Sequence, residues 1–202
     1  DYPTSYTPCT EVVKEELDNG IFRQLKKASD FSKYDTIFVG VPVWWHTAPT
    51  LMTHFLEENK EALKGKTIIP FCTYQATYRA ETLQAIVDAT PTASHKEGYG
   101  TTNPNQNNVD AWLKKNRSDK MKKLILTLSL ALALTMTASA KTLVAYFSLP
   151  IDSGKEALDA TSGASVTIKN GRHFGNAQFI AMTVADTLGE SADLFEIDTG
   201  DH

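Results

Sequence analysis

The chain of 202 residues predicts an α/β fold. Its expected form is a doubly wound, five-stranded parallel sheet in three α/β/α layers, with the elements in circularly permuted order. Three observations carry that expectation. Three short segments are almost continuously apolar, as strands buried on both faces are. Helical periodicities stand between them. A segment organised like a secretory signal lies in the interior and begins at Met121.

Along the chain, Asp1-Tyr2-Pro3-Thr4-Ser5-Tyr6 is a turn-rich approach to a first helix. The buried runs are 36–41 (TIFVGV), 67–72 (TIIPFC) and 142–147 (TLVAYF). A shorter strand is expected at 193–197 and a weak one at 92–98, where Ala-Ser-His-Lys-Glu is poor strand material. Met52, Phe55 and Leu56 fall at helical spacing behind Pro49, which suits a first-turn position. Leu83, Ile86 and Val87 repeat that spacing, as do Val109, Trp112 and Leu113 in a helix expected over 105–114. Ile180, Val184 and Leu188 run along one face after Gly175-Asn176.

Composition excludes several classes. Three Trp, seven Tyr and nine Phe are enough for a core, so the chain is not disordered. A net charge of −4 offers no basic footprint, so no nucleic-acid partner is expected. Cys9 and Cys72 cannot make a disulfide scaffold or a four-cysteine zinc site, and the five histidines show no metal-ligand spacing. No metal is expected, and no catalytic triad can be placed.

The interior segment reads MKKLILTLSLALALTMTASA over 121–140. Lys122 and Lys123 give a charged start, 124–134 an apolar run, and Ala138-Ser139-Ala140 a cleavage site. At under ~20 apolar residues it is short for a stable membrane span. The simplest order begins at Met121 and places residues 1–120 after 202. Residues 141–202 are then the first part of one domain, 1–115 its second part, and 116–140 a linker and signal-like segment outside the core. Asp198-Thr199-Gly200-Asp201-His202 and the opening residues become cut edges of one loop. If the signal is used, the protein is extracytoplasmic, periplasmic or secreted; otherwise it is cytoplasmic.

Tyr34-Asp35-Thr36-Ile37-Phe38-Val39-Gly40-Val41-Pro42-Val43-Trp44-Trp45-His46-Thr47-Ala48-Pro49 resembles the third strand and following loop of a flavodoxin. More narrowly it is similar to the bacterial flavodoxin-like group with a G-x-P-x-W-W-x-x-x-P loop. Lys64-Gly65-Lys66-Thr67-Ile68-Ile69-Pro70-Phe71-Cys72-Thr73 resembles that group's fourth strand, and Thr142-Leu143-Val144-Ala145-Tyr146-Phe147-Ser148 its first. Family order runs from 141 to 202 and then from 1, the order the interior signal suggests.

The resemblance implies an FMN-binding protein for electron transfer or flavin-dependent reduction, working with a redox partner protein or a small electron acceptor. The alternative is a flavin-free, secreted binding or interaction module on the same fold. Ligands in such sheets sit beyond the carboxyl ends of the strands. For the phosphate, the expected residues are Ser148, Gly175, Asn176, Ala177 and Gln178, at a helix N-terminus. Ala177 stands where relatives have Thr. For the ring they are Pro42, Val43, Trp44, Trp45 and His46, with Thr73, Tyr74 and Gln75 from the next loop. One of the two Trp stacks on the ring while the other packs the loop. Residues 73–79 contain no Gly where relatives carry a Gly- and Ser-rich turn, so Tyr74 or Tyr78 is either a second aromatic wall or a surface residue. Asn170-Gly171 between alternating runs predicts a hairpin over 165–174, a flap beside the phosphate site on which Arg172 and His173 are solvated charges.

Overall fold

Parallel strands fill five positions of one sheet, and residues 141–146 lie near its middle although they come late in the chain. The structure is a computed structural model that describes residues 2–3, 5–25, 30–127, 141–149, 166–169 and 172–198. The expectations for residues 128–140, for the Asn170-Gly171 turn and for 199–202 lie outside the described residues. The strands are β1 (Tyr34–Pro42), β2 (Thr67–Thr73), β3 (Ser94–His95), β4 (Tyr99–Thr101), β5 (Lys141–Tyr146), β6 (Val166–Lys169), β7 (Arg172–Gly175) and β8 (Ala192–Glu196). The helices are α1 (Tyr6–Asn19), α2 (Thr50–Glu58), α3 (Arg79–Asp88), α4 (Gln106–Thr127) and α5 (Asn176–Leu188).

The main sheet runs β3-β2-β1-β5-β8, with β4 also paired to β2, and all these pairings are parallel. Counted from residue 141, that spatial order is second, first, third, fourth, fifth, as expected for a doubly wound sheet with its switch point between β5 and β1. Val39 sits opposite Ala145 in β5 and Pro70 in β2.

Alternation along the strands divides the core in two. Ile37, Val39, Val41, Ile68, Cys72, Leu143 and Ala145 join a cluster with residues of α1, α2 and α3. Phe38, Ile69, Phe71, Val144 and Tyr146 join the other, with Val109, Trp112 and Leu113 of α4 and Phe179, Ile180 and Val184 of α5. These are the three α/β/α layers. Gly40 in β1 pairs with Phe71, and a Cβ there would lie 1.9 Å from the Phe71 ring.

Three expectations need correction. The weak strand is split: Ser94–His95 and Tyr99–Thr101 pair with successive parts of β2, with Lys96 N–H bonded to the Ile68 carbonyl between them. Pro49 is the N-cap of α2, one position before the helix proper. The helix expected over 105–114 does not stop there but runs from Gln106 to Thr127, past Met121. Those 22 residues contain neither Gly nor Pro and no C-cap signal, so nothing local ends the helix.

β6 and β7 form the expected antiparallel hairpin, in register from Val166↔Gly175 to Lys169↔Arg172, and β7 leads directly into α5. Among the described residues, no helix is long and apolar enough to cross a membrane.

Candidate functional site

Beyond the carboxyl ends of β1, β2 and β5 lies a cleft of about 590 Å³, a size typical of small-molecule sites (~300–1,000 Å³). Its walls bring together Pro42, Val43, Trp44, Trp45 and His46, then Thr73, Tyr74 and Gln75, then Ser148, Asn176 and Ala177. Gly175 and Gln178 are not among its lining residues. Gly175 is the N-cap of α5, and Gln178 Oε1 accepts its N–H at 3.3 Å, so both shape the helix start behind the wall.

The Trp loop is a miniature hairpin. Trp44 N–H donates to the Thr47 carbonyl at 2.9 Å, and Thr47 N–H to the Trp44 carbonyl at 3.0 Å. The two residues between, Trp45 and His46, have φ of 44° and 71°. Positive φ at both central positions is the pattern of a type I′ turn, normally built from Asn and Gly. Bulky L-residues there are strained, and such strain clusters at functional sites. The two indoles then diverge. Trp44 is half-buried, edge-on to Tyr2 at 5.1 Å and to Phe147 at 5.0 Å. Trp45 is 39% exposed, and its Nε1 donates to the Thr10 carbonyl at 2.7 Å. Lys14 Nζ lies 5.5 Å from the Trp45 ring centroid.

A third strained residue stands on the opposite lip. Tyr78, the N-cap of α3, has φ 68°, and its ring lies 4.0 Å from that of His46. Tyr78 is thus a wall residue, its ring tilted 32° against that of His46, and Tyr74 also lines the cleft. The loops are tied by the backbone: Val43 N–H donates to the Thr73 carbonyl at 2.8 Å, and Tyr74 N–H to that of Thr101 at 3.2 Å.

At the other end, α5 begins with Asn176 and Ala177, both buried. The first-turn N–H groups of a helix have no intrahelical partners and favour an anion. Asn176 Oδ1 accepts from Thr167 Oγ1 of β6, so the hairpin abuts the start of α5. Arg172 is exposed, with its guanidinium 5.6 Å from the Phe174 ring.

Sequence reasoning missed the wall supplied by α1, namely Cys9, Thr10 and Val13. Its helical pattern marks it as core, and nothing local says which strand end it crosses. Behind it, Tyr2 OH donates to Glu16 Oε2 at 2.8 Å, Arg23 Nε lies 2.5 Å from Glu16 Oε1, and the Arg23 guanidinium lies 4.1 Å from the Tyr2 ring centroid. Burial and the Glu16 carboxylate push the Cys9 thiol up to about 11, against a lowering by Arg23. Burial pushes Cys72 up to about 12, with Arg79 opposing. Neither thiol is primed as a nucleophile. Among the described residues no cluster could hold a metal ion.

Residues 16–116 match the flavodoxin family, half of the chain, spanning β1 to β4 with α2, α3 and the start of α4. The chain belongs to the flavodoxin family. β5, α5 and β8 fall outside the matched span, yet they complete this flavodoxin sheet. Among solved structures, a flavoprotein of Lactobacillus acidophilus NCFM in complex with FMN is similar at 17% identity and TM-score 0.45, over 55% of this chain and 72% of that one. A flavoprotein of Bacteroides eggerthii is 26% identical at TM-score 0.46, over 56% of this chain and 78% of that one. One from Bacteroides uniformis is 27% identical at TM-score 0.39, over 44% and 56% respectively. No curated protein matches the chain.

Proposed function

We propose that this flavodoxin binds FMN non-covalently in the cleft and passes electrons, as a carrier or as a small flavin-dependent reductase, to a partner protein or a small acceptor. The observation that carries the reading is one continuous cleft with aromatic walls at one end and the start of α5 at the other. The residues present fit the group. The first turn of α5 and Ser148 hold the phosphate, although Ala177 contributes no hydroxyl. Trp45 supplies the flat face, because its indole is exposed while that of Trp44 is half-buried between Tyr2 and Phe147. Bound FMN supplies the redox chemistry. The protein's own contribution is to orient the ring and shield it from water with Tyr74, Tyr78 and His46.

Titration of FMN into the purified protein, followed by absorbance and flavin fluorescence, tests this. Binding is expected, weakened by Trp45→Ala by ~1–3 kcal/mol, the usual worth of a planar ring on an aromatic face. Trp44→Ala acts chiefly on the stability of the fold. FMN whose absorbance and fluorescence do not change on mixing with excess protein refutes the reading and leaves a flavin-free interaction module.

We propose further that 121–140 serves as an export leader and that the functional order runs from 141 to 202 and on into 1–120. Two features support this: β5, directly after the segment, pairs with β1 near the sheet's middle, and Tyr2 and Ile197 belong to one core cluster. A gene rebuilt from Met121 in that order should yield extracytoplasmic protein beginning at Lys141. A soluble cytoplasmic product that keeps the segment would refute it.

A further inference from the structure

Behind the cleft, aromatic rings from three separate parts of the chain meet in a triangle. Tyr2 lies edge-on to Trp44 at 5.1 Å and to Phe147 at 6.1 Å, and Trp44 lies edge-on to Phe147 at 5.0 Å. Trp44 opens the strained turn that presents Trp45 and His46. Phe147 stands directly before Ser148 of the cleft wall. The triangle therefore joins the loop after β1, at the aromatic end of the cleft, to the loop after β5, toward the start of α5. Tyr2 touches both loops from behind.

The Tyr2 corner carries a polar anchor. Its hydroxyl donates to Glu16, which Arg23 holds from the other side, and the Arg23 guanidinium also covers the Tyr2 ring. Glu16 is 4% exposed. Burial and the Glu16 carboxylate raise the Tyr2 hydroxyl well above the ordinary phenol range, so it stays protonated and keeps donating. Glu16 belongs to α1, whose Thr10 carbonyl accepts from Trp45 Nε1. The anchor thus ties the α1 wall to both loops. A buried ion pair is a poor device for stability alone: both charges lose their water, and apolar residues of the same volume are often as stable. What it supplies is fixed geometry, since hydroxyl, carboxylate and guanidinium must meet at set distances and angles.

We infer that Tyr2, held by Glu16 and Arg23, is a positioning residue for the cleft: it sets the spacing between the Trp45 wall and the Ser148–α5 end, and with it the preference for a flavin that carries a phosphate. This rests on the FMN reading above and adds to it a residue outside the cleft. A ligand that grips both ends senses that spacing, and one that grips only the aromatic end does not. Loosening Tyr2 therefore weakens FMN and spares riboflavin, which has the ring and the ribityl arm but lacks the phosphate.

The test measures the affinities for FMN and for riboflavin, with the melting temperature, in the parent, Tyr2→Phe and Tyr2→Leu. Tyr2→Phe keeps a ring in the triangle and leaves Glu16 paired with Arg23, so only the anchoring hydroxyl goes. For Tyr2→Phe we expect FMN to weaken roughly threefold to tenfold, the usual reach of a mutation that touches no ligand. Tyr2→Leu weakens it further, and riboflavin affinity stays at the parent's value in both. The ratio of the two affinities decides, because a residue that merely stabilises the fold lowers the melting temperature and weakens both ligands alike or neither. An unchanged ratio in Tyr2→Phe overturns the inference and leaves FMN binding standing, and so does a parent that binds FMN no more tightly than riboflavin. A parent that binds neither ligand overturns the functional reading itself.

Discussion

Replacing Trp45-His46 by Asn-Gly should separate stability from binding at a single turn. Both residues hold positive φ, 44° and 71°, at a cost of ~1–2 kcal/mol each for ordinary L-residues. Gly removes its share entirely and Asn most of its own, a relief of about 2–3 kcal/mol. Against this stand the Trp45–Thr10 hydrogen bond, ~1 kcal/mol, and the exposed Lys14–indole contact, about 0.5 kcal/mol. The His46–Tyr78 ring contact adds ~0.5–1 kcal/mol. The terms nearly cancel, so the double variant should lie within about 1 kcal/mol of the parent in urea unfolding. FMN affinity should fall roughly fivefold to a hundredfold, because the exposed indole is gone. A destabilisation well beyond 2 kcal/mol would show that the turn is not strained. Unchanged affinity would show that the strain does not serve the cleft.

Two other perturbations test the fold. Gly40→Ala places a Cβ against the fully buried Phe71 ring and should cost ~1–3 kcal/mol in the denaturant midpoint, partly recovered by adding Phe71→Leu; a variant as stable as the parent would contradict the packing. The raised Cys9 and Cys72 thiols bind their protons more tightly folded than unfolded, so their contribution to stability is complete below pH 9 and is lost as pH climbs through about 11 and 12. Tyr146, pushed up to about 12 by burial and by Glu196, acts in the same direction. Unfolding midpoints should therefore fall steadily above pH 9, and a thiol reagent at pH 8 should label the native protein only slowly. A flat midpoint up to pH 11, or immediate labelling, would refute this.

What the residues disclosed follows from how they are buried. Strands β1, β2 and β5 are covered on both faces, so their apolar runs are continuous and legible, and with them the sheet order. The fifth position was half-legible because Gly98 and Gly100 flank Tyr99 and dilute the pattern, while pairing with β2 holds the residues extended. The loops after β1, β2 and β5 were readable as site walls because strand ends define them. The α1 wall was not, since crossing the strand ends is a tertiary fact. Nor was the I′ turn, because Trp45-His46 carries none of the residues that announce one.

The placement of β5 also dictates when the sheet can close. β1 pairs on one side with β2, about thirty residues on, and on the other with β5, about a hundred residues on. Until residues 141–146 leave the ribosome, the β1 edge facing β5 is an unpaired row of N–H and C=O groups flanked by Ile37, Phe38 and Val39. Contacts so distant in sequence form slowly, because the closure entropy comes before the reward. The nascent chain therefore carries β1 with one edge open through about half of its synthesis, the interval in which an unpaired apolar edge is exposed to association with other chains.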